Sequence, residues 1–307
     1  MKVLTIYHKV DYDGVFSLMI SRLFHTHLHN VEDNDSFGYN YGEPIPDISP
    51  DYDRVVMVDI SFPPDFMLQL KELNDSGVIE VIWIDHHITA IKDSETYGYD
   101  TLPGLRYDGQ AAVENTWEFF FEDAEDKPLI VKLLGTYDVW NKTRFDWERQ
   151  VLPLQFALKA KYGFDLEKIW EDLPDLFTAD DLGLSNIIES GIFILNYLRG
   201  IWKSAIKHYS FPCIVGEKWS GLALITTEYS SNAFGEETKN YDVCIVLNWN
   251  PMTGMFKTSM YVDPERLTDF HAGEYMKENF GGGGHRGAAG GQVPLDSFIK
   301  LLTEKKI

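Results

Sequence analysis

Short apolar runs alternate with amphipathic stretches along the first half of the chain. Residues 3–7, 54–58 and 78–84 are compact and rich in β-branched side chains, the pattern of buried strands. After the first run, Val15, Leu18, Met19 and Leu23 recur at helical spacing. After the second, Pro63-Pro64 opens a helix to about residue 74, because proline is tolerated in a first turn. Residues 36–42 give a weaker strand, 44–50 a loop, and 109–113 open a helix continued by Trp117 and Phe120. Residues 129–134 predict a further helix leading into 135–140, and 163–183 read as peripheral helices and loops ending in a linker. Within 185–207, Ile188, Gly191, Leu195, Leu198, Trp202 and Ala205 fall at three- and four-residue steps, a long amphipathic helix. Strand-like runs follow at 211–215, 222–227, 243–249 and 256–262, then a helix over 267–279, a glycine-rich stretch over 281–291 and strand-like Gln292-Val293.

This order predicts an α/β protein. A doubly wound, mostly parallel sheet occupies residues 1–183, a connecting helix 184–208, and a smaller α/β domain 209–307. Right-handed crossovers bring the carboxyl ends of parallel strands to one edge, where ligands of such folds bind. The polar residues cluster at those ends. His8, Asp11 and Asp13 follow the first run, Asp59 follows the second, and Asp85-His86-His87 follow the third. Asp11 and Asp13, two apart in what reads as an extended loop, can point to the same side, although an N-cap role would also account for Asp13. Asp138 sits in an otherwise apolar stretch, and a buried carboxylate is costly unless paired or bound to metal. A hydrogen-bonded structural aspartate accounts for that segment equally well. Carboxylates and imidazoles gathered at one point suit Mn²⁺, Fe²⁺, Co²⁺ or Zn²⁺.

In the second half, Gly281-Gly282-Gly283-Gly284 leaves backbone N–H groups open to close approach. His285 and Arg286 add cationic donors, and Ala288-Ala289 could begin a helix whose N-terminus favours anions. Two domains, one metal-rich and one phosphate-reading, are expected to face a shared cleft.

Composition narrows the partners. Hydrophobic residues make up 44% of 307, enough for a sizeable core, and the net charge of −21 disfavours gripping long duplex nucleic acid. It leaves room for a short anionic substrate where metals reverse the local sign. Cys213 and Cys244 have no metal-ligand spacing, which fits a reducing cytoplasm. The N-terminal run turns polar too soon for a signal peptide, and no apolar run is long enough to span a membrane.

Assembled in order, these motifs resemble the DHH phosphoesterase superfamily, in its oligoribonuclease/pAp-phosphatase-like branch with a C-terminal DHHA1 domain. Asp85-His86-His87 matches the naming motif literally; His8 through Gly14, Asp59, Tyr137-Asp138-Val139-Trp140 and the 281–291 stretch match the others. The resemblance implies a binuclear site, usually for two Mn²⁺ ions, with Mg²⁺ or Co²⁺ as substitutes. By position, His8 and Asp11 would hold one ion, Asp13, His86 and Asp138 the other, and Asp59 would bridge. His87 would face the substrate phosphate and protonate the leaving oxygen, Asp85 would orient an imidazole, and Gly282, Gly283, Gly284, His285 and Arg286 would bind substrate. One departure stands out: Tyr261 occupies a position where many members carry arginine, which leaves Arg286 as the phosphate contact. The expected activity is hydrolysis of short oligonucleotides or small dinucleotides by a two-metal-activated hydroxide. The alternatives are a pAp-type phosphomonoesterase, a pyrophosphatase or exopolyphosphatase, and a non-catalytic nucleotide-binding module. Homodimerisation is compatible with the sequence.

Overall fold

In a computed structural model of the chain, the residues described are 1–29, 31, 33–122, 126–216, 218–227, 231–284 and 286–297. The chain divides into two compact units, Met1–Leu195 and Asn196–Ile307. Among the described residues no helix is long and apolar enough to cross a membrane.

The first unit is built on four parallel strands, β1 (Lys2–His8), β2 (Asp33–Tyr39), β3 (Arg54–Val58) and β4 (Glu80–Ile84), in the order β2-β1-β3-β4. The central strands are short and nearly all apolar because both faces are covered, as parallel sheets require. On one face Leu4, Ile6, Val55, Met57, Val81 and Trp83 pack with Met67 and Leu70 of α2 (Pro64–Asp75). Side chains alternate along a strand, so Thr5 faces the other way, where its hydroxyl meets Ser21 of α1 (Tyr12–Leu23) at 3.0 Å. Helices α3 (Ile88–Tyr97), α4 (Ala112–Phe121), α5 (Leu129–Asp138), α6 (Leu152–Tyr162) and α7 (Leu166–Thr178) complete this unit. Helix α8 (Asp181–Tyr209) runs through the division between the units.

The second unit is a mixed six-stranded sheet, β5 (Ser210–Val215), β6 (Trp219–Ile225), β7 (Val243–Asn250), β8 (Met255–Val262), β9 (Gly283–Gly284) and β10 (Ala288–Pro294), ordered β5-β6-β7-β8-β10-β9. Helix α9 (Ala272–Phe280) buries Ala272 and Met276 against Val243, Ile245, Met260 and Val293.

Several expectations need correction. Ala288 and Ala289 do not start a helix; they pair with Tyr261 and Met260 in an antiparallel strand. The helical preference of alanine is weak beside a full ladder of backbone hydrogen bonds. The helix expected over 267–279 starts only at Ala272, where the His271 side chain accepts the Glu274 N–H at 3.2 Å. The second strand lies at Asp33–Tyr39 rather than 36–42. The stretch 163–183 contains a helix, α7, as read, but its end runs into α8 rather than a linker.

Candidate metal centre

The carboxyl edge of the first sheet collects eight polar side chains, placed by several distinct local devices. His8 ends β1. Gly14 makes the turn after it feasible, since a Cβ there would stand 2.0 Å from the His8 carbonyl oxygen. Asp11, not Asp13, is the N-cap of α1, accepting the Gly14 N–H at 3.0 Å. Asp13 lies inside the first turn and is buried. Its two oxygens accept the Ala112 and Val113 N–H groups at 2.9 and 2.7 Å, so the positive end of α4 holds this carboxylate. Asp59, just past β3, is buried in a left-handed conformation with φ 58°, a backbone cost of about 1 kcal/mol for a non-glycine residue. Asp138 is the last residue of α5.

Asp85 carries the turn after β4. Its Oδ1 accepts the His86 and His87 N–H groups at 2.7 and 3.1 Å and lies 2.7 Å from His87 Nδ1. Asn115, buried in α4, donates from Nδ2 to the Asp85 carbonyl at 3.2 Å and to that of Tyr107 at 2.9 Å.

His86 Nε2 stands 3.6 Å from Asp13 Oδ2, 3.4 Å from Asp59 Oδ1 and 3.3 Å from Asp138 Oδ2. His8 Nδ1 lies 2.9 Å from Asp11 Oδ2 and 3.4 Å from Asp59 Oδ2. Three sets of donor atoms result, each within 4.8 Å: His8, Asp11 and Asp59; Asp13, His86 and Asp138; Asp59, His86 and His87. Asp59 approaches His8 and His86 with its two different oxygens. Its Oδ1 is buried and accepts no hydrogen bond, so the donor set has an unmet negative atom at its middle. Oxygen and imidazole donors of this kind fit a divalent first-row ion.

Crowding shows in the proton affinities. Burial and the neighbouring Asp59 and Asp138 push Asp13 well above the usual carboxylate range. Burial carries Asp138 up to about 7, with Asp59 adding to the rise. Burial acts on Asp59 too, but its histidine neighbours His8 and His86 outweigh it and bring it down to about 2. The imidazoles respond in kind. Burial opposes their charge, yet Asp11 and Asp59 hold His8 up at about 10, and Asp85 holds His87 at about 9. As it stands, the cluster balances its carboxylates with protons, the state that a bound cation displaces.

The glycine-rich stretch of the second unit is put together differently. Gly281 and Gly282 give their N–H groups to the Lys277 and Met276 carbonyls at the end of α9. A Cβ on Gly273 or Gly282 would fall 2.1 or 2.2 Å from a backbone oxygen, so those glycines let α9 and the β9–β10 hairpin touch. Arg286 is exposed and donates to the Thr268 carbonyl; His285 lies outside the described residues. Tyr261 is on β8, opposite Ala288.

Two neighbours of the cluster gave little signal in the sequence. Tyr41, 48% exposed, sets its ring 5.7 Å from His8 and 6.3 Å from His87. Asn115 was signalled only by sitting next to Glu114 and Thr116 in an otherwise apolar helix.

The sequence matches no family model, and it matches no curated protein. The likeness lies in the fold. A pGpG-specific phosphodiesterase, PggH from Vibrio cholerae, is 13% identical with a TM-score of 0.57, covering 99% of this chain and 97% of that one. An exopolyphosphatase-related protein from Bacteroides fragilis is 15% identical with a TM-score of 0.53, covering 99% and 91%. The DHH domain of a member of a family of ribosomal proteins is 14% identical with a TM-score of 0.60, covering 100% and 87%. The chain has the DHH–DHHA1 fold.

Proposed function

We propose that this chain, with the fold of the DHH phosphoesterases as premise, is a metal-dependent phosphoesterase acting on phosphodiesters of short oligonucleotides or small dinucleotides. The observation that carries the reading is Asp59, a buried carboxylate whose two oxygens each serve a separate donor set. In this reading His8 and Asp11 hold one ion, Asp13, His86 and Asp138 hold a second, and Asp59 is shared. Mn²⁺ suits the donors, with Mg²⁺ or Co²⁺ as substitutes. Such a pair supplies an activated water and offsets the charge that builds up in an in-line displacement.

The chain's own residues do the rest. Asp85 fixes His87 through Nδ1, so proton donation to the leaving oxygen falls to Nε2. Burial opposes charge on His87, and its hydrogen bond to Asp85 raises its proton affinity, which favours the protonated imidazole such a donor needs. In the second unit, exposed Arg286 offers a guanidinium to a phosphate. The phosphodiesterase among the structural neighbours favours a dinucleotide-sized substrate. The exopolyphosphatase-related neighbour favours a second reading, cleavage of phosphoanhydrides. The buried, unpaired Cys213 and Cys244 agree with a reducing cytoplasm as the place of action.

The test is a panel of di- to pentanucleotides, pAp, cyclic dinucleotides and pyrophosphate with Mn²⁺, products resolved by chromatography. Metal should raise the melting temperature and EDTA should reverse the rise. His87→Ala should lower turnover about a hundredfold or more while metal content stays near the wild-type value. No hydrolysis anywhere in the panel, with melting indifferent to metal, would refute the reading.

A further inference from the structure

Helix α5 ends in a turn that carries an unusual residue. Asn141 N–H donates to the Thr136 carbonyl at 3.0 Å and Trp140 N–H to that of Tyr137 at 3.1 Å. This nested pair closes a helix with the residue just past its C-cap left-handed, a place that glycine usually fills. Here it is Trp140, with φ 56°. Strain at a non-glycine residue persists where something else requires the side chain.

Burial does not require it, since Trp140 is 45% exposed. Its ring meets Trp147 edgewise at 4.8 Å and Tyr137 at 5.7 Å, and Tyr137 stacks on Trp147 at 5.6 Å and 10°. Lys142 holds its ammonium 5.1 Å from the Trp140 ring centre and 5.5 Å from that of Trp147. In a chain of net charge −21, no carboxylate among the described residues pairs with this lysine. The turn is also held in place. Asn141 Oδ1 accepts from Thr143 Oγ1 at 2.9 Å, and Arg144 grips buried Glu114 with two bonds of 2.8 and 2.9 Å. Trp140 is two residues from Asp138, so its Cα lies within about 7 Å of that of Asp138.

We infer that Trp140 and Lys142 form a base-and-phosphate platform beside the metal centre, the indole stacking on a nucleobase of the substrate and the ammonium meeting its phosphate. Every base has a face to stack, so the platform accepts nucleotides in general and discriminates against phosphates that lack a base. The inference rests on the nucleotide phosphoesterase reading and adds the residues that would choose the substrate class.

The test uses the full chain with Mn²⁺ and calorimetric titration of two probes, adenosine 5′-monophosphate and ribose 5-phosphate. The wild type should bind the nucleotide about tenfold tighter or more. Trp140→Gly should bring the two affinities together, leave ribose 5-phosphate unchanged, and still unfold cooperatively when metal-free, because relief of the left-handed strain offsets part of the ring packing lost against Tyr137 and Trp147. Lys142→Ala should weaken both ligands by the same factor. Trp140→Asn, which also tolerates the left-handed conformation, serves as the second variant. Equal or unmeasurable binding of both probes to the wild type would overturn the inference. So would a base preference that survives in the variants, or failure of both Trp140 variants to fold. Hydrolysis of bis-p-nitrophenyl phosphate is followed in parallel. Base discrimination without hydrolysis refutes the phosphoesterase, and hydrolysis without base discrimination refutes only the platform.

Discussion

The two ends of the parallel sheet in the first unit both gather ionisable side chains, to opposite effect. At the amino edge, Arg54 opens β3 and Glu80 opens β4. Arg54 Nε and Nη2 lie 2.9 and 2.7 Å from Glu80 Oε2, and Nη1 lies 3.0 Å from His25 Nε2. His25, fully buried, turns Nδ1 to the Ser21 carbonyl at 2.7 Å. Both ring nitrogens are engaged and the group is complete. At the carboxyl edge, buried Asp13 and Asp59 face each other across His86, Asp59 Oδ1 has no hydrogen bond, and Asp138 is pushed up to about 7 by burial first and by Asp59 next. One edge satisfies itself and the other leaves a buried carboxylate oxygen, Asp59 Oδ1, without a hydrogen bond. Buried polar groups are normally paired, so the unpaired edge is where an external cation belongs.

The comparison breaks first at Asp59. Outer partners of metal ligands cost about 10- to 100-fold in affinity or activity when removed, so the shared ligand itself should cost more. Asp59→Asn keeps the shape and the hydrogen-bonding reach. It should reduce Mn²⁺ affinity and phosphodiester turnover by well over about a hundredfold, read by calorimetric titration and by product formation. Full affinity in this variant would mean that the carboxyl edge holds its ions without the residue it shares.

What the sequence made legible was the local part of this arrangement. Three apolar runs gave β1, β3 and β4, and the acids and histidines just after them converge as expected. What it hid was supplied from far away in the chain. Asp13 looked like half of a loop pair with Asp11. It is instead a helix residue satisfied by Ala112 and Val113, about a hundred positions on, while Asp11 does the capping. The glycine run drew attention for the right residue type, but much of the close approach it permits is between parts of the chain itself. Gly282 makes room for the Gly290 carbonyl and Gly273 for that of Gly284. Glycine patterns do not reveal which partner comes close. His25 sits in a run of alternating histidines, His25, His27 and His29, that does not by itself distinguish one ring from the next; its meaning comes only from Arg54 and Ser21.

The amino edge makes a smaller prediction, in stability rather than chemistry. Burial, helped by the Arg54 charge, lowers His25 from 6.5 to about 4. The folded state therefore prefers the neutral ring. Its contribution is complete above pH 6.5 and is lost as pH falls from there through about 4. Between pH 7 and 5 the loss from this residue should be about 2 kcal/mol. Other groups titrate in the same range, so the quantity to measure is the difference between wild type and His25→Gln in urea unfolding at the two pH values. Equal losses in both proteins would remove His25 from the account.

Arg54→Met gives the smallest effect and the sharpest separation of the two edges. The substitution keeps the aliphatic stem and removes the guanidinium. The pair with half-exposed Glu80 and the bond to His25 Nε2 both go, at a cost of about 1 kcal/mol at pH 7. Burial is the larger cause of the His25 shift and stays in place, while the guanidinium repulsion disappears. The pH-dependent loss should therefore shrink by less than about 1 kcal/mol rather than vanish. Strand β3 spans Arg54 to Val58 and Asp59 follows it, so about 16 Å of backbone separates this group from Asp59. Mn²⁺ affinity should stay within about twofold of wild type, because charges that far apart are largely screened at physiological salt. A larger change in metal affinity would show that the self-satisfied edge and the cation-seeking edge are energetically one system.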